Sequence, residues 1–326
     1  MDSHYLNRIL DLALDPRIPP NLFVTLLRTH RLRHMMDKGK PHGGDRLLIA
    51  HTFDVERNYG SDRAEGTCGE VSQFLATLGD VRTDITIFVE GSLIEENSRA
   101  LRSLQQRGIE IGLHGYHHEL WGRSQWYLPD RPLTLERKRA LLKAGIEAFQ
   151  SAGLPRPVMF RSPNLVADMS TVHLLAEEGF RVDSSLPSHR GVLPVPQFLG
   201  RLGGLVRIPV TADPIPSLSR KGLLPCYRYR TCSLKGLREM SKEELLQYVS
   251  RIVTLQETLG FPPHILSLSH SWEFLNPLLS NSGYDYCCPE NFEFLRDLDC
   301  MLFDKFNVRH VSMSALAEML GKNHSE

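Results

Sequence analysis

The sequence lacks the features that would place it in several common protein classes. Its six cysteines are scattered over 326 residues, without the spacing of a disulfide framework or of a paired zinc ribbon. Basic and acidic residues both number 38, so no excess charge attracts nucleic acid or an anionic membrane. No segment approaches the roughly 20 apolar residues of a spanning helix, and residues 1–13 lack the apolar core of a secretory signal. These absences favour a cytoplasmic protein with reduced thiols and no nucleic-acid partner.

Strand-length apolar runs alternate with helical patterns from about residue 46 onward, which is typical of α/β proteins. The predicted strands are residues 47–53, 84–89, 109–113, 158–161, 181–184, 205–209, 265–270 and 308–312. The helical patterns are clearest at residues 133–151 and 242–259. This alternation predicts a parallel sheet covered by helices, in a domain that spans about residues 46–320.

Two segments fall outside this pattern. Residues 1–45 predict a helical extension of two short helices, separated by the proline-containing stretch 16–20. The second helix mixes apolar residues with arginines, so it is expected either to pack on the domain or to contact a membrane surface, which would make the protein membrane-peripheral.

Residues 211–240 form an insertion rich in proline, arginine and tyrosine. It predicts either a loop that binds an anionic group of a substrate or a plain surface insertion.

Two histidines and two carboxylates suggest a metal site. His114 and His118 follow the third predicted strand, where Gly115 lets the chain turn, and one helical turn would put both imidazoles on one side. Asp54 and Glu56 follow the first strand and point the same way if the chain stays extended. Two imidazoles and one carboxylate can hold a divalent cation and leave positions open for water and substrate. One carboxylate could bind metal while the other accepts a proton. Solvated histidines and helix-capping acids are the plain alternatives.

Five short motifs resemble, in their order, those of the polysaccharide deacetylase family, also called the NodB homology domain. They are FDVE at 53–56, TIFV at 86–89, EIGLHGYHH at 110–118, FRSPN at 160–164 and LSH at 268–270. The resemblance spans roughly residues 46–312. It implies the fold of that family, a distorted and incomplete (β/α) barrel. This agrees with the α/β pattern read from periodicity.

The resemblance also implies roles for individual residues. Asp54 matches the catalytic base, and His114 and His118 match the two metal-binding histidines. Arg161 matches the arginine that pairs with the base. His270 matches the histidine that acts as general acid, and its position at the end of an apolar run equally suits a buried core histidine.

The chain also departs from the family pattern. The typical second aspartate, a metal ligand, falls on Val55, which cannot bind metal, and Glu56 is the natural substitute because some members place the ligand one residue later. Asp183 is the match for the carboxylate that tunes the general acid, with a turn cap as the alternative. Asn164 replaces the usual tyrosine, so it becomes a candidate substrate contact.

Four aromatic residues follow the two histidine motifs: Trp121, Trp126, Tyr127 and Trp272. Trp121 and Trp272 are the candidates for stacking on a sugar ring, and ordinary core or rim packing is the alternative for all four.

Amide hydrolysis needs an activated water, a stabilised oxyanion and a proton for the departing amine, and these residues would supply all three around a cation. The prediction is a metal-dependent hydrolase that removes an N-acyl group, with acetyl as first choice, from an amino sugar. Zinc is the first choice of metal. Expected substrates are an N-acylated sugar or saccharide, a sugar nucleotide or a lipid-linked sugar. The alternatives are a deformylase, an allantoinase-like hydrolase of another carbon–nitrogen bond, and a catalytically inactive relative that binds saccharide.

Overall fold

The computed structural model describes residues 3–18, 21–38, 46–57, 68–78, 84–221, 224–275 and 285–322. The strands are β1 Leu47–Val55, β2 Ile85–Val89, β3 Glu110–Leu113, β4 Met159–Phe160, β5 Val182–Asp183, β6 Gln197–Leu199, β7 Leu205–Arg207, β8 Ser217–Lys221, β9 Leu224–Arg228, β10 His264–His270 and β11 Val308–His310. The α-helices are α1 Ser3–Leu14, α2 Leu22–Lys38, α3 Cys68–Leu78, α4 Ser98–Gln106, α5 Leu135–Ser151, α6 Met169–Glu177, α7 Leu234–Arg238, α8 Lys242–Thr258, α9 Asn291–Phe303 and α10 Met313–Lys322.

The main sheet has the strand order β10-β1-β2-β3-β4-β5-β7-β6, and β11 pairs with the start of β1. All these pairs are parallel except that of β6 with β7. Helices α3, α4, α5 and α6 connect successive parallel strands, as crossover connections require. The sheet curls into an incomplete barrel, so the predicted α/β fold is confirmed.

Side chains of β1 alternate between two hydrophobic clusters because successive residues of a strand point to opposite faces. Leu47, Ile49, Phe53 and Val55 belong to the larger cluster, which includes apolar residues of the surrounding helices. Leu48 and Ala50 belong to a second cluster that includes Phe88, Met159 and Leu266 of other strands. Even-numbered residues of β1 therefore face the inside of the curled sheet, and odd-numbered residues face the helical layer.

Helix ends are set by local sequence at several points. Thr134 caps α5 by accepting a hydrogen bond from the backbone nitrogen of Arg137. Ser241 and Glu244 form a reciprocal capping box at the start of α8. These caps explain why the two helices that were clearest in the sequence begin within a few residues of where the pattern predicted.

The two N-terminal helices precede the barrel and contact loops beside it. Asp11 accepts a hydrogen bond from Arg190 at 2.8 Å, and Asp15 accepts one from Trp126 Nε1 at 2.8 Å. The same helices leave apolar side chains exposed, including Leu14 and Phe23. No helix in the described ranges combines the length and apolar character that crossing a bilayer requires. Packing of the extension is thus observed, and its membrane contact stays a prediction.

Candidate active site

The carboxyl ends of four parallel strands bring the predicted site residues together. Asp54 lies in β1 directly beside His270 of β10, since their Cα atoms are register partners. His114 directly follows β3, and Arg161 directly follows β4. Neighbouring parallel strands end at one edge of the sheet, which is why residues far apart in sequence meet there.

A glutamate and two histidines converge on one point. Glu56 Oε2 lies 3.1 Å from His114 Nε2 and 3.3 Å from His118 Nε2. The three ligand atoms lie within 4.8 Å of one another. Glu56 and His114 are buried, whereas His118 is partly exposed. This cluster, which we call the inner site, contains the two imidazoles and one carboxylate that the sequence predicted.

The backbone that brings the two histidines together differs from the expected helical turn. Residues 114–118 form a bend and not a helix. Gly115 has φ of 63° and His118 has φ of 64°, both in the left-handed region. A Cβ at Gly115 would come within 2.9 Å of Trp121 and 3.0 Å of Pro163. The helical prediction was therefore wrong, and a tight bend that needs glycine at 115 brings the imidazoles together.

The position of Val55 explains why Glu56 is the available ligand. Val55 is fully buried in the cluster that faces the helical layer. Asp54 and Glu56 both reach the inner side of the sheet, where Asp54 Oδ2 lies 3.8 Å from His114 Nε2. A carboxylate at 55 would point away from the histidines on this backbone.

Asp54 forms a buried ion pair with Arg161. Arg161 Nη1 donates a hydrogen bond of 2.7 Å to Asp54 Oδ1, and its Nη2 donates one of 3.0 Å to Ser184 Oγ. The guanidinium also lies over the ring of Phe88, with Cζ 4.2 Å from the centroid. The guanidinium therefore fixes the orientation of the Asp54 carboxylate. The pairing predicted for these two residues is present.

The carboxylate next to His270 is Glu273. Glu273 Oε2 lies 3.4 Å from His270 Nδ1 and accepts a hydrogen bond of 2.7 Å from the His270 backbone nitrogen. Burial alone would lower the pKa of His270, but the negative charges of Glu273, Glu56 and Asp54 raise it to about 9. The imidazolium is therefore the favoured form at neutral pH.

The prediction that Asp183 tunes His270 was wrong. Asp183 Oδ2 accepts a hydrogen bond of 2.7 Å from Arg207, and its Oδ1 accepts one of 2.9 Å from the backbone nitrogen of Ser185. Both carboxylate oxygens are thus engaged in a buried network at the end of β5. Sequence reasoning missed Glu273, although its spacing of three residues from His270 is that of a capping box and could have indicated it.

Electrostatics in the inner site favour an ionised carboxylate between basic groups. Burial would raise the pKa of Glu56, but hydrogen bonds with His114 and His118 hold it well below its usual range. Burial would lower the pKa of His118, but the hydrogen bond and charge of Glu56 raise it. Trp272 Nε1 donates a hydrogen bond of 3.2 Å to Glu56 Oε1, so the second carboxylate oxygen is fixed as well.

The predicted substrate contacts divide between cleft and core. Asn164 and Trp272 line a cleft of about 680 Å³ that also contains the inner site, Asp54 and His270. The Trp272 ring stacks on His270, with centroids 4.8 Å apart. Trp121 is fully buried and packs edge-on against Phe160, so its predicted role in stacking on a substrate was wrong. Its predicted alternative, packing in the core, is what the structure shows.

The other two aromatic candidates lie at the rim and contact neighbouring segments. Trp126 binds Asp15 of the N-terminal segment, as described above. Tyr127 Oη lies 2.8 Å from His189 Nε2, and His189 lines the cleft. Burial and the nearby charges of Arg17 and Arg190 lower the pKa of His189 to about 3, so this imidazole is neutral.

The segment 211–240 contributes little charge to the cleft among its described residues. Arg228 pairs with Glu239 at 2.6 Å, and Arg230 lies 3.8 Å from Glu244. Thr231 is the residue of this segment that lines the cleft. The arrangement favours the surface-insertion alternative over a loop that binds an anion.

The donor set of the inner site fits a divalent cation. Two imidazole nitrogens and one carboxylate oxygen are the ligands that zinc and similar ions accept, and their mutual separations suit a shared cation. The side of the inner site that faces the cleft is open to a substrate. Asp54 and His270 border that opening, where a base and an acid would be needed.

Comparison with known proteins points in the same direction. The model of a family described as polysaccharide deacetylase matches residues 45–182. A peptidoglycan deacetylase-like protein of Gibberella zeae is 30% identical over 160 residues, which is 44% of this chain and 44% of that protein. The chain therefore spans less than half the length of the curated relative that it matches.

Solved structures share the fold. A candidate polysaccharide deacetylase from Mycobacterium smegmatis has 22% identity and a TM-score of 0.55, over 88% of this chain and 96% of that one. The PuuE allantoinase has 14% identity and a TM-score of 0.53, over 87% and 93%. A candidate polysaccharide deacetylase from Pseudomonas aeruginosa PAO1 has 16% identity and a TM-score of 0.52, over 86% and 93%. At these identities the structures establish the shared fold alone.

Proposed function

We propose, because residues 45–182 match the model of the polysaccharide deacetylase family, that this protein is a metal-dependent hydrolase that removes an N-acyl group, first of all acetyl, from an amino sugar. One observation carries the proposal. The inner site, Asp54 and His270 line a single cleft, with Arg161 and Glu273 buried beside the last two as their partners. A protein that only bound saccharide would have no physical need for a base and an acid with opposite electrostatic environments.

Glu56, His114 and His118 are the residues that would hold the cation, with zinc as the first choice. A cation bound there supplies acidification of a water molecule and stabilisation of the negative charge that develops on the amide oxygen. Trp272 supports this role because its hydrogen bond orients the Glu56 carboxylate.

Asp54 acts as the general base and accepts a proton from the attacking water. Its hydrogen bond with Arg161 fixes the orientation of the carboxylate and leaves Oδ2 on the side of His114. Arg161 is a positioning residue in this scheme, since its guanidinium is fully buried behind Asp54.

His270 acts as the general acid and donates its proton to the amine that leaves as the carbon–nitrogen bond breaks. The water oxygen stays on the acyl carbon, so the products are a free amine and a carboxylic acid. Glu273 keeps the imidazole protonated and fixes its backbone. This assignment explains why a basic pKa is useful at His270, since the acid must carry its proton when the bond breaks.

The cleft supports a saccharide as substrate. Its volume of about 680 Å³ falls in the range of small-ligand sites. Trp272 offers an aromatic surface at the mouth, and Asn164, Asp130 and His189 offer polar groups for hydroxyls. Sugar nucleotides and lipid-linked sugars belong to the same proposal, because the amide that reacts is identical in each.

The proposal is tested by release of primary amine from N-acetylated substrates. Zinc-loaded protein is incubated with N-acetylated chito-oligosaccharides, with UDP-N-acetylglucosamine and with allantoin, and amine and acetate are quantified. Asp54→Asn should abolish release, whereas Asp297→Asn should not, because Asp297 lies 77% exposed on α9.

The outcomes separate the alternatives. Equal amounts of amine and acetate from a saccharide, lost in Asp54→Asn, support the deacetylase. Hydrolysis of allantoin alone would replace it with an allantoinase-like activity. A folded, zinc-loaded protein that binds chito-oligosaccharide without releasing amine would identify an inactive saccharide-binding relative.

A further inference from the structure

A second cluster of metal-binding residues lies on the opposite face of β1. His51 of β1, Asp299 of α9 and His310 of β11 come together there, and we call them the outer cluster. His51 Nε2 lies 3.0 Å from Asp299 Oδ1, and His310 Nε2 lies 3.5 Å from Asp299 Oδ2. His51 is an odd-numbered residue of β1, so it faces the helical layer while Asp54 faces the cleft.

The outer cluster has the same donor set as the inner site. Each combines two imidazoles with one carboxylate, and in each the three ligand atoms lie within 4.8 Å of one another. Ligands of a tetrahedral zinc ion at about 2.0–2.1 Å are separated from each other by roughly 3.3 Å. The nitrogen–oxygen separations in the outer cluster are close to that value, at 3.0 Å from His51 to Oδ1 of Asp299 and 3.5 Å from His310 to Oδ2.

The surroundings of the outer cluster fit a bound ion. All three side chains are buried, at 7%, 6% and 9% exposure for His51, Asp299 and His310. The other ring nitrogen of His51, Nδ1, lies 2.9 Å from Ser267 Oγ, and such a partner orients a ligating imidazole. A cleft of about 350 Å³ gives an ion a path to the cluster, and it is lined by His51, Asp299, the charged Glu293 and Arg296, and mainly apolar residues of α9 and the sheet.

The two imidazole rings of the outer cluster lie against each other. The His51 and His310 rings stack with centroids 5.4 Å apart and planes at 24°. A given nitrogen of a neutral imidazole carries either an N–H or a lone pair, so the same nitrogen can hydrogen-bond a carboxylate or bind a cation. The tautomer with a lone pair on each Nε2 would let both imidazoles and the carboxylate share one ion.

We propose that His51, Asp299 and His310 bind a second divalent cation, of the zinc class, with a structural role. Such an ion would join β11 and α9, which come late in the chain, to β1, the strand that carries Asp54. The proposal concerns residues that take no part in the reaction proposed above and does not depend on that reaction.

The test is a count of zinc per chain. Protein is stripped with a chelator, reloaded with zinc, desalted and measured by elemental analysis. The wild type should hold about two equivalents. The inner-site double variant Glu56→Gln/His118→Asn should hold one, and so should Asp299→Asn. The control His173→Gln should hold two, because His173 is an exposed histidine on α6.

The zinc counts of these variants distinguish binding at the outer cluster from binding at the inner site. One equivalent in the wild type, lost in Glu56→Gln/His118→Asn and kept in Asp299→Asn, overturns the second site. One equivalent with the reverse pattern supports the second site and overturns the metal centre of the proposed function. The inner-site double variant alone also decides the question if Asp299→Asn fails to fold, since it leaves the outer cluster intact and must retain one equivalent.

Thermal unfolding gives an independent readout of a structural role. An ion that binds the folded protein alone raises its unfolding temperature, by about 5 °C when zinc is in large excess over its dissociation constant. Zinc should cause this shift in Glu56→Gln/His118→Asn, and the additional change His310→Gln should abolish it. An unchanged unfolding temperature in the inner-site double variant would overturn the structural role.

Discussion

The contact between Glu273 and His270 gives the sharpest prediction, because it links one buried carboxylate to a measurable pH profile. Glu273 is 2% exposed and its Oε2 lies 3.4 Å from His270 Nδ1. The change Glu273→Gln keeps the size of the side chain and an oxygen for the His270 backbone nitrogen, but removes the negative charge. A cation in the inner site would offset the charge of Glu56, which leaves Glu273 as a main source of the raised pKa.

The size of the effect follows from the fraction of protonated imidazole. A histidine with a pKa of about 9 is roughly 90% protonated at pH 8, whereas one at its ordinary value of 6.5 is roughly 3% protonated there. If Glu273 supplied the whole increase, Glu273→Gln would lower activity by up to about 30-fold at pH 8 and by less than twofold at pH 6. A general acid works only while protonated, so lowering its pKa moves the basic limb of the profile to lower pH.

The assay is kcat/KM for amine release from pH 5 to pH 10, for the wild type, Glu273→Gln and Glu273→Asp. The wild type should lose activity near pH 9, Glu273→Gln should lose it at lower pH, and Glu273→Asp should stay closer to the wild type because it retains the charge. A loss in Glu273→Gln that is equal at every pH would refute the reasoning. It would show that Glu273 only supports the local fold.

Three further predictions concern the first and fourth strands. Asp54→Asn should lower kcat by about 100-fold or more while the zinc content stays unchanged, since it removes a general base and no ligand; kinetics and elemental analysis on one sample check both. Arg161→Met should lower the free energy of unfolding by about 3–5 kcal/mol, because it leaves the Asp54 carboxylate buried without the guanidinium that pairs with it. Arg156→Met, at an exposed pair, should lower it by less than about 1 kcal/mol in the same urea titration. Val55→Asp should destabilise the fold by about 3 kcal/mol or more in that titration without adding a zinc equivalent, because the carboxylate would face an apolar cluster.

The strand framework was predictable because each strand is a short apolar run that ends at a polar residue. Residues 47–53 predicted most of β1, and residues 265–270 predicted all but one residue of β10. Once parallel pairing was inferred, the meeting of Asp54 and His270 at one edge followed from topology. The family resemblance added Arg161, whose partner no local pattern could reveal.

The predictions from sequence were wrong where the structure depends on loop conformation, or where a side chain has more than one possible partner. The left-handed conformation of His118 is rare for a residue other than glycine, so spacing alone favoured a helix. Asp183 pairs with Arg207, which lies 24 residues later in the chain. No short sequence pattern predicts that this pair forms. Trp121 follows the histidine motif, but its burial is decided by packing against Phe160.

The alternation of β1 accounts for both the shifted ligand and the outer cluster. Because side chains alternate along an extended strand, Asp54 and Glu56 reach the cleft while His51 and Val55 face the helical layer. A carboxylate at position 55 would lie in the apolar cluster that surrounds Val55. To reach the histidines, its side chain would have to turn to the other face of β1, which would disrupt the strand. Glu56 avoids this conflict by using the next inward position, and its longer side chain spans to His114 and His118. The departure from the usual motif therefore still brings one carboxylate and two imidazoles together, which is the arrangement that the proposed function requires.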